Sequence, residues 1–301
     1  MTGLPLAGNT SGGKAAGRGG RAPLPSRPQA QTLLTCGLIG ENIGNSRLAR
    51  ALGLLCADHG MTLDFTAIDT MGDPDFDFDG TVDDLRLQGW TGVTVTHPWK
   101  THAAAWAGDR MVAGTEDLGA SNTLTFAPVA GHNTDYSGFL RAWAAGMDSP
   151  PGVVAVAGAG GVARAVVPAL LALGATEVLV WDRDAGAAEA LAHRTGARAV
   201  TDAAAAIAAA DGLVNCTPMG MAPYGGTAFD AALIGGQAWA FDAVYTPTET
   251  PFVQAARAAG LRVLTGFDLF RHMALASFEA YTGQRPDPAT ALPKLDVLKP
   301  E

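Results

Sequence analysis

Residues 153–165 constrain the fold more than any other stretch of this chain. They read Val153-Val154-Ala155-Val156-Ala157-Gly158-Ala159-Gly160-Gly161-Val162-Ala163-Arg164-Ala165. An apolar, Val-rich run passes through a glycine turn directly into a helical pattern. A buried strand followed at once by a helix is the start of a parallel α/β layer, because the helix carries the chain back across the sheet. Gly158 permits the tight turn. Gly160 and Gly161 remove side chains, so a pyrophosphate can approach the backbone N–H groups at the helix N-terminus. The flanking strand and helix are the context that a dinucleotide fingerprint requires.

The same alternation runs along most of the chain. Strands are predicted over 33–39, 62–69, 92–96 and 121–126, with a helix over 47–59 and another opened by Pro98. The second half repeats it with strands over 153–157, 178–182, 212–216, 238–245 and 261–264. Helices over 161–173, 186–195 and 250–259 alternate with them, and the Ala-rich stretch 203–210 reads as one more. The fold class is α/β in two lobes, an α/β substrate-binding domain and a Rossmann-like dinucleotide-binding domain, with parallel sheets. The expected boundaries are 31–145 for the first domain, completed by a C-terminal helix over 266–292, and 146–265 for the second. Met147-Asp148-Ser149-Pro150-Pro151-Gly152 is the linker candidate.

Composition excludes several classes of function. With 48% hydrophobic residues the chain builds a core, and a formal charge of −9 argues against a nucleic-acid partner. Residues 1–30 hold Lys14, Arg18, Arg21 and Arg27 and no acid, so taking their +4 from −9 leaves −13 on 31–301. That arm is expected to be disordered, being too poor in apolar residues to offset its ordering entropy. It lacks the apolar centre of a signal peptide, and no apolar run approaches a membrane span. Cys36, Cys56 and Cys216 are scattered, which fits a reducing cytoplasm and no metal site. Oligomeric state is left open, a homodimer among the options.

Asp182 ends the strand after the glycine turn, 24 residues beyond Gly158. An acid there accepts hydrogen bonds from a ribose and repels a 2′-phosphate, which favours NAD; Arg183 beside it argues for NADP. The alternative for Asp182 is that it caps the next helix. A nicotinamide enzyme working on an alcohol needs a group to take the hydroxyl proton. No tyrosine here has a lysine four residues on, and no cysteine–histidine cluster suits a catalytic zinc. What remains is Thr96-His97-Pro98-Trp99-Lys100 and His132-Asn133-Thr134-Asp135. Lys100 falls in the first turn of a helix, where the dipole disfavours an ammonium and a nearby carboxylate such as Asp135 would favour it. On these grounds alone a solvated surface lysine is the competing reading.

The chain resembles the shikimate/quinate dehydrogenase family from residue 32 to about 290. The matching motifs are Gly37-Leu38-Ile39-Gly40 with Asn45-Ser46-Arg47, Val93-Thr94-Val95-Thr96-His97-Pro98-Trp99-Lys100, and Gly119-Ala120-Ser121-Asn122-Thr123. Gly131-His132-Asn133-Thr134-Asp135, Gly158-Ala159-Gly160-Gly161, Asn215-Cys216-Thr217-Pro218-Met219-Gly220-Met221 and Val244-Tyr245-Thr246-Pro247 follow in order. The Asp182 strand end looks closest to the NAD-preferring quinate/shikimate branch. The resemblance implies a Lys100/Asp135 acid–base dyad, with Ser46, Thr96, Asn122, Tyr245 and Met273 around a cyclic hydroxy acid. It implies a cofactor side of Gly158, Ala159, Gly160, Gly161, Val162, Asp182, Arg183, Thr217, Ala243 and Gly266.

Three positions depart from the family pattern. Leu48 stands where a second hydroxyl is usual, Thr94 where an Asn is common, and Met273 where the C-terminal helix normally brings a Gln. Each polar partner withdrawn from a buried ligand group costs about 1–3 kcal/mol. The expectation is therefore dehydrogenase chemistry on shikimate, quinate or a close relative, an amino-substituted one included. A nicotinamide-binding sensor without turnover and a folate-linked dehydrogenase are the readings that compete with it.

Overall fold

A computed structural model describes residues 32–300. The expected disordered arm over 1–30 lies outside the described residues. The first sheet has the order β2-β1-β3-β4-β5. Its strands are β1 (Leu33–Gly40), β2 (Thr62–Asp69), β3 (Gly92–Val95), β4 (Thr123–Phe126) and β5 (Val129–His132). Helices α1 (Leu48–Asp58), α2 (Phe78–Leu87) and α3 (Lys100–Ala107) lie between them in sequence. The expectation of parallel strands is corrected for this first sheet alone. β1 pairs in parallel with β2 and β3, but β3–β4 and β4–β5 are antiparallel. Only Ala127 and Pro128 separate the paired Phe126 and Val129, which leaves room for a hairpin and none for a crossover helix.

After α4 (Thr134–Gly146) the second sheet is built from β6 (Val153–Ala157), β7 (Glu177–Trp181), β8 (Arg198–Ala199), β9 (Gly212–Asn215), β10 (Trp239–Asp242) and β11 (Arg262–Thr265). All its pairings are parallel, in the order β11-β10-β9-β6-β7-β8. α5 (Ala163–Ala172), α6 (Ala185–Thr195), α7 (Ala203–Ala209) and α8 (Pro251–Ala258) cover it. From β6 the chain winds to β7 on one side and later to β9 on the other. The carboxyl ends of β6 and β9 are therefore a topological switch point, where doubly wound sheets bind ligands.

The parallel strands are buried on both faces. Val154, Val156 and Phe241 meet Phe139 and Trp143 of α4 on one side, and Ala155, Leu213 and Ala240 meet Phe252 of α8 on the other. The single C-terminal helix expected over 266–292 is two. α9 (Gly266–Thr282) ends at Gly283, left-handed with φ 69°, and α10 (Pro288–Leu295) starts afresh from an Asp287 cap. α9 joins the two cores, with Leu269 packing among the second-sheet residues and Leu275 and Phe278 among those of the first. It lies close against α4 because Gly138 has no side chain: a Cβ there would sit 2.9 Å from the Met273 backbone nitrogen.

Candidate active site

Two helix starts bring the acid–base candidates together. α3 begins at Lys100, two residues later than a start at Pro98 would give, since Pro98 belongs to the preceding turn. α4 begins at Thr134, capped by the Asn133 side chain accepting from Tyr136 N, so Asp135 lies in its first turn. Lys100 Nζ donates to Asp135 Oδ2 at 2.7 Å, with each side chain 13% exposed. A pair in that position is shielded on most sides and open on one, the arrangement a proton-transfer group needs.

Behind the pair is a buried polar cluster. Asn122 Oδ1 accepts from Thr134 N at 2.7 Å, Thr134 Oγ1 at 3.0 Å and Thr123 Oγ1 at 3.3 Å. That ties the start of α4 to the strand that follows Lys100. The Asn122 NH2 has no partner among the described residues and is the donor this wall offers. Ser277 Oγ lies 3.0 Å from Thr134 Oγ1 and donates to Met273 Sδ at 3.5 Å, so Met273 is continuous with the cluster. Thr96 turns its Cγ2 toward Gly40. Ser46 Oγ accepts from Leu48 N at 3.3 Å at the head of α1. Tyr245 stacks on Phe270, centroids 5.4 Å apart, and burial pushes its phenol up while the adjacent Arg47 opposes part of that shift. Leu48 and Thr94 face the core instead. Leu48 packs with Leu38, Leu52 and Leu275, and the Thr94 hydroxyl is 2.7 Å from the Tyr281 hydroxyl.

The glycine turn sits at the carboxyl end of β6. Gly158 has φ 99°, and a Cβ there would lie 2.8 Å from the Cys216 carbonyl carbon, so only glycine fits. A Cβ at Gly160 would meet nothing within 4 Å, and one at Gly161 only Lys100 Cδ at 3.7 Å. Ala159 N is committed to Asp182 Oδ2 at 2.7 Å. The N–H groups of Gly160, Gly161 and Val162 have no acceptor among the described residues, which leaves a set of donors at the start of α5 suited to a phosphate. Asp182 Oδ1 accepts from Asp184 N at 3.0 Å, and each of its oxygens keeps a lone pair for a ribose hydroxyl. The capping role falls to Asp184, which accepts from Gly186 N and Ala187 N at the head of α6. Arg183 is exposed. Thr217 Oγ1 donates to Asn215 Oδ1 at 2.6 Å, and Gly266 approaches the Ala243–Val244 backbone too closely for any side chain.

Two residues outside the expected set shape these loops. Asp242 is wholly buried and accepts from Thr250 Oγ1 at 2.5 Å, Asn215 Nδ2 at 2.9 Å and Val244 N at 3.0 Å. It links the loop after β9 to the one that carries Tyr245, and burial lifts its carboxyl to about 6. A single acid ending the apolar strand Trp239–Asp242 was the available signal. The second is Arg47, at the head of α1, where a helix dipole gives no reason for a cation. Among the described residues no group of three His, Cys, Asp or Glu could hold a metal, and no helix is long and apolar enough to cross a membrane.

Residues 38–124 match the family model described as shikimate dehydrogenase substrate binding domain, and 153–225 the one described as NADP oxidoreductase coenzyme F420-dependent. The quinate/shikimate dehydrogenase (NAD(+)) of Corynebacterium efficiens is 38% identical over 272 residues, 83% of this chain and 93% of that protein. This chain belongs to the quinate/shikimate dehydrogenase family. Among solved members, quinate dehydrogenase from Corynebacterium glutamicum in complex with NAD superposes with a TM-score of 0.79 at 33% identity, covering 89% of this chain and 99% of that one. Shikimate 5-dehydrogenase from Thermus thermophilus, in complex with NADP(H) and shikimate, gives a TM-score of 0.76 at 32% identity, covering 86% and 97%. The family's two-domain, Rossmann-like architecture is thus this chain's architecture.

Proposed function

We propose that this chain is an NAD-dependent dehydrogenase interconverting a ring hydroxyl and a ketone of quinate, shikimate or a close cyclic hydroxy acid. The observation that carries it is a juxtaposition: the aliphatic stem of Lys100, whose Nζ donates to Asp135, passes beside Gly161 of the glycine turn. Proton transfer and hydride transfer have to happen on one carbinol, so their agents must meet. In this reading the domains divide as 31–145 with 266–292, and 146–265.

The residues fit the dinucleotide. Gly160, Gly161 and Val162 would face its pyrophosphate and Asp182 its adenosine ribose, while Thr217, Ala243 and Gly266 would border the nicotinamide end. When bound, the nicotinamide supplies the hydride acceptor. Lys100 Nζ, as the neutral amine, takes the proton of the reacting hydroxyl. Asp135 aims that amine through the 2.7 Å hydrogen bond and balances the ammonium that results. For ketone reduction the same Nζ returns the proton. Ser46, Thr96, Asn122 and Tyr245 hold the ring, with the Asn122 NH2 as a donor to it. Met273 puts a thioether on the same wall, which favours a substrate less polar on that edge than shikimate. NAD is preferred over NADP because the Asp182 carboxylate repels a 2′-phosphate.

Purified protein supplied with NAD or NADP and a panel of quinate, shikimate and amino-substituted analogues tests the reading. Reduced cofactor is expected with NAD and at least one of these acids. Tight NAD binding without turnover on any of them would leave the sensor reading in its place.

A further inference from the structure

We propose that Arg194 is a positioning residue for the reaction: with Arg164 it latches the turn over 116–119 onto α5 and α6, and so fixes where the Lys100–Asp135 pair stands relative to the dinucleotide. The proposal rests on the dehydrogenase reading and concerns a contact to which that reading gives no role. Arg194 is exposed, near the end of α6 beside the second sheet. Its guanidinium nevertheless reaches Gly119, in the loop that leads to β4 of the first sheet. A Cβ on Gly119 would sit 2.6 Å from Arg194 Nη1 and 3.1 Å from its Cζ, so a bare backbone is what lets the planar group lie that close. The same loop carries the short 3-10 turn Glu116–Leu118, which lies against both α5 and α6.

The charges on the two sides are complementary. Arg164, half-buried in the first turn of α5, is close enough to Arg194 for the like charge to count: burial first, and Arg194 after it, hold its guanidinium below the ordinary value. Among the described residues neither arginine has a carboxylate within 4.0 Å, although residues 31–301 carry a net −13. The hollow between the two, lined also by Ala159, Ala187 and Leu191, is about 10 Å³, room for one water and for no ligand. The pair therefore meets its counter-charge from outside. Glu116 and Asp117, exposed on the turn and likewise without an ion-pair partner among the described residues, are the acids that the packed turn brings to it. Such exposed charges attract over about 10 Å in 0.1 M salt.

The latch bears on the acid–base pair through the next two residues. Ala120 O accepts from Asn133 Nδ2 at 2.9 Å, and Ser121 N donates to Lys100 O at 2.8 Å. Asn133 caps the helix whose first turn holds Asp135, and Lys100 opens α3. On the other side Arg164 stands three residues after Gly161, beside which the Lys100 stem passes. A shift of the turn would move both helix heads together against the glycine turn, and a displacement of about 1 Å at a reacting group is enough to slow its step.

The test compares the wild type with Arg194→Met, Arg194→Lys and the double variant Glu116→Gln, Asp117→Asn. Each is mixed with saturating NAD and quinate or shikimate, and the single-turnover rate of cofactor reduction is read at low and high salt, beside KM, NAD affinity and thermal unfolding. Arg194→Met should slow reduction by about fivefold at low salt, the upper worth of an exposed charge contact. KM for the acid should change by less than about twofold, and the melting temperature by no more than about 2 °C, since Arg194 is exposed. High salt should bring the wild-type rate down toward that of the variant, whose own rate should not respond. Arg194→Lys should recover part of the loss, restoring the charge without the plane, and the double variant should be slowed like Arg194→Met. Should Arg194→Met not fold, the double variant and the salt response decide. Reduction as fast in Arg194→Met as in the wild type, or a loss that neither Arg194→Lys lessens nor salt reproduces, would overturn the latch and leave Arg194 an ordinary surface residue. If that happens while the wild type reduces NAD with one of these acids, the dehydrogenase reading survives. If the wild type reduces NAD with no cyclic hydroxy acid, both fall.

Discussion

At the glycine turn the groups proposed to bind the dinucleotide are backbone: Gly160, Gly161 and Val162 offer N–H donors, and Gly158 is there for a conformation and a clearance of 2.8 Å that no side chain could meet. At the proposed substrate wall the groups are side chains, drawn from the head of α1, the end of β3, the heads of α3 and α4, the loop after β10, and α9. A backbone site is made by one continuous segment and keeps its shape as long as the strand, turn and helix pack. The side-chain site keeps its shape only if several separate segments hold register, which is why it is braced from behind by the Asn122–Thr134–Ser277 cluster. The turn can therefore keep its form while the wall is changed.

The largest test of this contrast is Asp135→Asn. It keeps the shape of the wall and removes the charge partner of Lys100, so kcat should fall by about 10³-fold with NAD affinity unchanged. A loss below about tenfold would deny Asp135 its role. Gly158→Ala should strike the turn itself, destabilising the protein by about 3 kcal/mol through strain at positive φ and the clash with Cys216, and taking NAD binding with it. Denaturant unfolding that matches the wild type would contradict that account. Asn122→Ala should cost about 2 kcal/mol of stability by stranding buried donors on Thr134 and Thr123. A gentler probe is Gly160→Ala. Because its Cβ would point into open space, stability should hold while NAD affinity drops by about tenfold, or about 1.4 kcal/mol.

A further effect is in pH. Burial lifts Asp242 from an ordinary 3.8 to about 6, so the folded chain keeps a proton that the unfolded chain has already released. Wild-type stability should decline relative to Asp242→Asn as pH rises through that window, and be level above it. Melting temperatures of the two proteins measured from about pH 3.5 to about pH 7 should therefore diverge, by an amount on the order of a few degrees. Parallel curves would mean that folding leaves the Asp242 carboxyl at its ordinary value.

Legibility followed the same division. The Val153–Ala157 strand, its glycine turn and the second sheet were readable because the signal is local: an apolar run, a glycine pattern, a helical period. The antiparallel β4–β5 hairpin was missed because Ala127-Pro128 carries none of the Asn-Gly or Gly-Gly chemistry of the commonest tight turns. α2 was hidden behind its acidic approach, where Asp73, Asp75 and Asp77 obscure the start that Asp77 in fact caps. Asp135 was a possible partner of Lys100 from its own strand-to-helix junction, but with 35 residues between them only the family resemblance made the two a dyad. Arg47 and Asp242 act through groups remote in sequence, Thr246 and Tyr245 for one, Asn215 and Thr250 for the other, and only the packed chain brings those together.

The central claim is that Lys100 Nζ moves the hydroxyl proton beside a bound dinucleotide. The most direct measurement is the single-turnover rate of cofactor reduction by NAD-loaded wild type and Lys100→Met, mixed with saturating quinate or shikimate. Reduction should be slowed by about 10³-fold or more in the variant while NAD and acid still bind. Equal rates in the two proteins would contradict the claim.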